Sequence, residues 1–374
     1  MNFSKLDSYL ETLKQTGIPA CELIITHKGD TVYHKCAGYS NADGTTPTSE
    51  NDIYWLYSAT KVITCIAAMR LVERGIISLD DPVSKYIPEY DSLLIHEADG
   101  SSRKAKETLR VWHLFTMTGG MTYEKATKNI REAEDRSTLG IVRAMARDGL
   151  VFEPGTHFKY SLCHDVLAAV VEIASGVKFS EYLKKNIFEP LGIVDMGFKP
   201  TAEQNSRFSA MYKHHGGTAR AELKKTENSF VLSEEFESGG AGLFGTASEY
   251  IKIITALSLG GTARNGYQLL TEESVRMMQK NYLCDAALDD FSATSKFGYG
   301  WGLCGRVHIA PVVSCSASPV GEFGWDGAAG AYVLIDPENE LAIFYVQHVM
   351  SCGYVYHTVH PRLRNMTYEA IKGE

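Results

Sequence analysis

The sequence lacks the patterns that mark several large classes of protein. Its eight cysteines contain no C-x-x-C pair and its twelve histidines no H-E-x-x-H, so spacing indicates neither a metal site nor a disulfide framework. No apolar stretch approaches the ~18 residues that a membrane span requires. The net charge is −8, without a basic run, which argues against nucleic acid as a partner. We therefore expect no metal, no cofactor, no nucleic acid and no membrane contact.

What remains is the composition of a globular protein. Hydrophobic residues make up 44% of the 374 positions and charged residues 22%, and a chain of this length favours two subdomains. The segment from Met1 to Leu10 contains no apolar stretch of the kind found in secretory signals. We therefore expect a cytoplasmic protein.

One stretch combines a serine and a lysine at the start of an apolar helix. Ser58-Ala-Thr-Lys61 follows the apolar segment from Ile53, and the helix behind it ends near Gly75. Ser58 and Lys61 are three residues apart and share one face of the first turn. A serine hydroxyl needs a nearby base to become a nucleophile, and a lysine amine serves as that base only when its surroundings lower its pKa. The helix N-terminus also favours a developing anion there.

This spacing alone is weak evidence. About one S-x-x-K is expected by chance in a chain of this length. A second match, Ser101-Ser-Arg-Lys104, lies in a polar stretch without an apolar helix behind it, and we interpret it as a solvated loop. Ser58 alone fits equally well an ordinary N-cap residue beside a surface lysine.

The apolar periodicity predicts helices and strands in separate regions. Residues 3–16 form an amphipathic helix, and two strands around Lys28-Gly-Asp30 form a hairpin. Residues from about 80 to 230 read mainly as helix and loop, with a strong helix opening at Phe158. After the glycine-rich segment from Ser238 to Gly245 comes a further helix, and successive strands follow from Gly298 onwards.

Four segments then occur in an informative order. They are Ser58-Ala-Thr-Lys61, Leu114-Phe-Thr-Met-Thr-Gly-Gly120, Tyr160-Ser-Leu162 and Trp325-Asp-Gly327, accompanied by Glu153-Pro-Gly155 and Pro190-Leu-Gly192. Together they resemble the serine β-lactamase and penicillin-binding-protein superfamily, from about residue 20 to residue 348. Within it, the chain resembles the class C-like branch that includes serine esterases and D-amino-acid peptidases. The order and context of the motifs carry this resemblance more than any one motif does.

The resemblance implies a role for each motif. Ser58 would be the acylated nucleophile, and Lys61 would assist its deprotonation. Tyr160 would be a phenolate-like or shuttling base, although an aromatic packing residue is the alternative interpretation of a tyrosine at a helix start. The N–H groups of Ser58 and Ala328 would stabilise the oxyanion, and loss of one such donor costs about 3 kcal/mol.

Two departures from the family pattern favour an ester substrate. Leu162 replaces the usual asparagine, and Trp325-Asp326-Gly327 replaces a lysine or histidine, a threonine or serine, and a glycine. Tryptophan cannot pair with the carboxylate of a β-lactam, whereas an apolar wall suits a neutral ester. If Trp325 and Gly327 face the site, strand alternation points Asp326 away from Ser58.

The resemblance also implies the architecture and the activity. The fold would be α+β, an antiparallel β-sheet flanked by helices (residues 1–79 and 231–374) with an inserted, mainly helical domain (80–230) and the active site between them. The activity would be that of a carboxylesterase on small acyl esters, with Trp325, Gly327 and Leu162 contacting a small-molecule ester or amide substrate. The alternatives are a β-lactamase or D-amino-acid peptidase, and a catalytically silent binding protein with the same fold.

Overall fold

A seven-stranded antiparallel sheet lies at the centre of the molecule. A computed structural model describes residues 1–294 and 296–373 of the chain. The strands are β1 (Ala20–His27), β2 (Asp30–Gly38), β3 (Tyr54–Trp55), β4 (Leu94–His96), β5 (Ser102–Lys104), β6 (Met211–His214), β7 (Ala221–Lys224), β8 (Phe244–Gly245), β9 (Tyr299–Trp301), β10 (Arg306–His308), β11 (Phe323–Gly324), β12 (Tyr332–Asp336), β13 (Leu341–Gln347) and β14 (Val349–Met350). The strand order in the central sheet is β2-β1-β13-β12-β11-β10-β9, so both ends of the chain contribute to it.

Helices cover both faces of this sheet. They are α1 (Ser4–Thr12), α2 (Thr60–Glu73), α3 (Val111–Phe115), α4 (Lys128–Arg131), α5 (Thr138–Ala146), α6 (Cys163–Ser175), α7 (Phe179–Leu183), α8 (Ala202–Ser206), α9 (Ala247–Ser258), α10 (Glu272–Met278), α11 (Asp285–Ser292), α12 (Pro311–Ser314) and α13 (His360–Lys372). Among the described residues, no helix is both long enough and apolar enough to cross a membrane.

Strand β13 shows how the two faces are filled. Its side chains alternate between a core shared with α1 and α13 and a larger core shared with α2, α6 and α9. Tyr250 of α9 stacks on Phe344, with 4.3 Å between the ring centroids. Because both faces are covered, the strand is a continuous apolar run instead of an apolar and polar alternation.

The segment from 80 to 230 contributes no strand to the seven-stranded sheet in the described part of the chain. It carries α3 to α8, and its apolar residues join the same core as α2 and α9. The predicted α+β class with an antiparallel sheet is confirmed. The domain boundaries near residues 80 and 230 stay a prediction.

Local structure follows the sequence closely, with one displaced boundary. The predicted helix over 3–16 is α1 followed by a tighter helical turn at Leu13–Thr16, and the predicted hairpin is β1 and β2. The helix predicted to open at Phe158 begins instead at Cys163, with Leu162 as its N-cap residue. Tyr160 therefore lies in the loop that precedes α6.

Candidate active site

Ser58 lies in a short helical turn, Tyr57–Ala59, that leads directly into α2. The N-cap residue of α2 is Ala59, so Ser58 does not act as an N-cap. The preceding residue, Tyr57, has a φ of +47°, which is rare for an aromatic residue and indicates local backbone strain. Such strain commonly occurs where a turn must present a reactive side chain.

Lys61 is completely buried beneath Ser58, so it is not a surface lysine. Its Nζ lies 3.5 Å from Ser58 Oγ and donates a hydrogen bond of 2.7 Å to the carbonyl oxygen of Gly240. The same nitrogen lies 4.7 Å from the centroid of the Tyr160 ring. These contacts hold the amino group between the serine hydroxyl and the tyrosine.

A buried aspartate fixes the loop that holds Lys61. Asp165 of α6 accepts a hydrogen bond of 2.5 Å from Ser238 Oγ and one of 3.2 Å from the Gly240 N–H. A Cβ atom on Gly240 would lie 2.5 Å from Asp165 Oδ2, so glycine permits this close approach. Burial raises the pKa of Asp165, while the charge of Lys61 and these hydrogen bonds lower it in part. Sequence reasoning missed Asp165, although an acidic residue inside the apolar run of α6 is a signal that could have identified it.

Tyr160 adjoins Ser58 and is half-buried. Its hydroxyl oxygen accepts a hydrogen bond of 2.9 Å from Trp325 Nε1. Burial raises the pKa of Tyr160 well above its ordinary value, and hydrogen bonding with Ser58 and Trp325 lowers it only in part. The phenol is therefore protonated at neutral pH when the site is at rest.

A second tyrosine, Tyr123, reaches the Ser58 hydroxyl. Sequence reasoning missed this residue. Its ring centroid lies 5.2 Å from that of Tyr160 and 5.5 Å from Lys61 Nζ. Burial raises the pKa of Tyr123 to about 12, whereas the charge of Lys61 and a hydrogen bond with Ser58 lower it. No motif marks this position, because Tyr123 lies in a charged loop whose fold the sequence does not reveal.

Two loops meet beside Tyr160 and form a rim, which we define as residues 123–125 and 228–230. Phe230 packs on Tyr123 with 5.5 Å between the ring centroids. Lys125 Nζ lies 3.8 Å from the centroid of the Phe230 ring and donates hydrogen bonds to the carbonyl and hydroxyl oxygens of Ser229 at 2.7 and 2.6 Å. The rim thus joins two segments that are far apart in sequence.

The third motif approaches the turn that carries the serine. A Cβ atom on Gly327 would lie 2.5 Å from the carbonyl oxygen of Leu56, two residues before Ser58. Among the hydrogen bonds between described residues, the N–H groups of Ser58 and Ala328 have no acceptor. Free donors at these two positions agree with the predicted oxyanion hole, which stays a prediction.

Asp326 faces away from this cleft, as strand alternation predicts. Its carboxylate lies 2.6 Å from Lys296 Nζ, 3.3 Å from Arg306 Nη1 and 3.7 Å from His360 Nδ1. Burial raises the pKa of Asp326, but these three groups lower it more, so the pKa lies well below its ordinary value. Its negative charge is therefore neutralised by groups outside the cleft.

Aromatic rings form the wall beside Tyr160. Trp325 is half-buried and packs edge-on against the buried Trp301, with 4.4 Å between the ring centroids. Leu162 is only 4% exposed and belongs to the apolar core, so it presents little surface to a ligand. The structure thus brings Ser58, Lys61, Tyr160 and Trp325 together, and the substrate contacts predicted for Trp325, Gly327 and Leu162 stay predictions.

Comparisons with known proteins identify the family of this chain. The Beta-lactamase family model matches residues 6–351. Esterase EstB of Burkholderia gladioli is 28% identical, and the match covers 91% of this chain and 88% of EstB.

Two solved structures have the same fold. EstCE1, described as a hydrolase with promiscuous acyltransferase activity, superposes with a TM-score of 0.82 at 22% identity, over 98% of each chain. Simvastatin synthase (LovD) of Aspergillus terreus superposes with a TM-score of 0.83 at 20% identity, over 100% of each chain. Because the family model spans nearly the whole sequence, the chain belongs to the beta-lactamase family.

Proposed function

We propose that this protein is a carboxylesterase that cleaves small, neutral acyl esters through an acyl-enzyme on Ser58. The observation that carries the proposal is the hydrogen bond from Trp325 Nε1 to the Tyr160 hydroxyl oxygen. A cation at position 325 would attract an anionic substrate, whereas the indole offers an apolar surface and uses its one donor on a protein group.

In the first half-reaction, Ser58 Oγ attacks the carbonyl carbon of the ester. Because Tyr160 is protonated at rest, it acts as a proton shuttle and not as a standing phenolate. It takes the serine proton while its own proton passes to the oxygen of the departing alcohol. The products are the acyl-serine and the free alcohol, and Tyr160 ends as a neutral phenol again.

Lys61 supports this transfer by its position. Phenolate character on Tyr160 during the transfer is stabilised by the amino group that lies 4.7 Å from its ring centroid. The oxyanion formed on the acyl carbonyl oxygen is stabilised by the free N–H groups of Ser58 and Ala328.

In the second half-reaction, water attacks the acyl-serine and passes one proton to Tyr160, which returns a proton to Ser58 Oγ. The products are the carboxylic acid and the free serine. The walls of the cleft suit the acyl group of such a substrate, because the rings of Tyr123 and Trp325, both partly exposed, flank Tyr160. Aromatic surface binds apolar groups without requiring a countercharge.

The test is hydrolysis of short p-nitrophenyl esters beside a chromogenic cephalosporin, for wild type and for Ser58→Ala. The matched control is Ser101→Ala, since Ser101 begins the second S-x-x-K match and is exposed. We expect ester turnover that is lost in Ser58→Ala and kept in Ser101→Ala, with little cephalosporin turnover.

Each of the other outcomes would indicate a different function or mechanism. Efficient cephalosporin turnover that depends on Ser58 would identify a β-lactamase instead of an esterase. Ester turnover that survives Ser58→Ala would remove Ser58 from the mechanism. Lack of turnover on esters, the cephalosporin and D-alanyl peptides alike would favour a silent protein with the same fold.

A further inference from the structure

The hairpin of β1 and β2 brings three side chains that can ligate metals to one place. Glu22 is directly opposite Cys36 in the register of the two strands. His34 lies two residues before Cys36 on β2, so both project from the same face. One ligand atom from each of the three residues lies within 4.8 Å of the others. None of the three belongs to the set around Ser58.

Glu22 is the least expected member of this group. Its side chain is completely buried, and Oε1 lies 2.8 Å from His34 Nε2. Its other oxygen, Oε2, has no hydrogen-bond partner among the described residues. A buried carboxylate with an unpaired oxygen is costly unless a cation or donor compensates it. The contacts within the protein therefore leave half of this carboxylate unsatisfied.

The cluster is also open to solvent on one side. Strand β2 is an edge strand of the sheet, the His34 side chain is 27% exposed, and Cys36 is half-buried. The side of the cluster that faces solvent is therefore formed by His34 and Cys36, which an ion would meet before the buried Glu22. Burial raises the pKa of Glu22, the hydrogen bond and charge of His34 lower it in part, and the carboxylates of Asp52 and Glu50 raise it further.

We propose that Glu22, His34 and Cys36 form a binding site for a thiophilic divalent cation of the zinc class. Zinc bonds of ~2.0 to 2.3 Å place tetrahedral ligand atoms about 3.3 to 3.8 Å apart. His34 Nε2 lies 3.9 Å from Cys36 Sγ, so small side-chain rotations produce that geometry. Oε2 of Glu22 supplies the third ligand, and water takes the fourth position.

The ligand types select the metal. A thiolate and an imidazole favour zinc over magnesium or calcium, which prefer oxygen ligands. On binding, Cys36 Sγ loses its proton to solvent, and His34 carries its remaining proton on Nδ1. The bound ion would tie the edge strand β2 to its neighbour β1. We therefore expect the bound ion to raise the stability of the fold.

The test is metal titration of the full-length protein after removal of metals with a chelator. Zinc binding is followed by calorimetry, and cobalt(II) binding by absorption, where a thiolate-to-cobalt charge-transfer band reports a cysteine ligand. We expect one equivalent per chain and a Tm that rises with zinc. The band should be absent in Cys36→Ser, and zinc affinity should fall by at least about tenfold in Glu22→Gln.

The matched control is Cys315→Ser, which removes an exposed cysteine elsewhere and should leave binding unchanged. The proposal is overturned by binding that survives Cys36→Ser, by binding that is lost in Cys315→Ser, or by no binding at millimolar zinc. Because Cys36→Ser reports on the site without changing the buried Glu22, a folding failure of Glu22→Gln leaves the test intact. No substrate is used, so the outcome is independent of ester hydrolysis.

Discussion

The indole N–H of Trp325 donates a hydrogen bond to the hydroxyl oxygen of Tyr160, with 2.9 Å between the two atoms. The donor stabilises negative charge on that oxygen, and it is one of the groups that lower the pKa of Tyr160. Trp325, which distinguishes the third motif of this chain, is thus hydrogen-bonded to Tyr160, the proposed proton shuttle. We therefore expect loss of this hydrogen bond to slow the chemical step.

Replacing Trp325 with phenylalanine keeps an aromatic wall and removes the donor. We expect kcat on p-nitrophenyl esters to fall by about tenfold, the equivalent of one hydrogen bond of ~1.4 kcal/mol, with little change in KM. The measurement is steady-state kinetics together with Tm.

Trp301→Phe is the matched control for this prediction. It removes an indole N–H from the same aromatic cluster, but that N–H donates to the carbonyl oxygen of Phe115. We expect Tm to fall and the kcat of the folded protein to change less than in Trp325→Phe. Equal losses of kcat would contradict a specific role for the bond to Tyr160.

The two tyrosines beside Ser58 can be distinguished by removing one hydroxyl at a time. Tyr160→Phe should lower kcat by at least about 10²-fold, the usual contribution of a positioned proton-transfer group. Tyr123→Phe should lower it only a few-fold, because Tyr123 lacks the bond from Trp325. The reverse order of effects would assign the shuttle to Tyr123.

Gly327 sets the distance between the third motif and the turn that carries Ser58. Gly327→Ala would place a Cβ atom 2.5 Å from the Leu56 carbonyl oxygen and 2.9 Å from the Ala331 Cβ, so the backbone of the third motif must move away from the turn that carries Ser58. We expect kcat/KM to fall by at least about tenfold, as the loss of a well-placed oxyanion donor does. In the control Gly216→Ala, the added Cβ meets no atom within 4 Å, and kcat/KM should stay unchanged.

Asp326 should make stability depend on pH in the acid range. Because its pKa is lower in the folded protein than in the unfolded chain, it adds stability above the unfolded pKa, about 3.9, and loses this contribution as the pH falls towards the folded value. Asp326→Asn leaves Lys296 and Arg306 without their shared partner and should cost about 3 kcal/mol near neutral pH. The Tm difference from wild type should narrow below about pH 4.

An exposed pair provides the comparison for Asp326. Arg103 Nε lies 2.7 Å from Glu97 Oε1, and both side chains are at least 40% exposed. Glu97→Gln should change stability by less than about 1 kcal/mol. If Asp326→Asn were as mild as Glu97→Gln at neutral pH, the interaction of Asp326 with Lys296 and Arg306 would contribute little to stability.

Features with local causes could be predicted from the sequence. Apolar periodicity predicted α1 and the first hairpin, and three-residue spacing predicted that Ser58 and Lys61 share a face. The α+β class was predicted from the family resemblance. The predicted start of α6 was wrong by five residues, since aromatic residues from Phe158 onwards continue the apolar pattern of the helix. Periodicity reports burial, and a buried loop gives the same signal as a buried helix.

Features that depend on contacts between distant segments could not be predicted. Tyr123 reaches Ser58 because a charged loop folds over α2, and Asp165 holds Gly240 from a helix about 75 residues away in sequence. The same limit applies to Glu22, His34 and Cys36, because their proximity comes from strand register. Motif spacing along the chain identifies sites within one element and misses those built across two strands.

The rim and the buried residues beneath it differ in how well they tolerate amino-acid substitutions. Lys61, Gly240 and Asp165 are packed among α2, α6 and the glycine-rich loop, so a change at any one of them disturbs the other two. The rim is held by contacts of Lys125 with Ser229 and Phe230, on loops at the protein surface. For the proposed esterase, substitutions at these three rim positions can therefore alter which esters enter while the contacts among Lys61, Gly240 and Asp165 are retained. In a lineage with this architecture, substrate range can diverge faster than reaction chemistry.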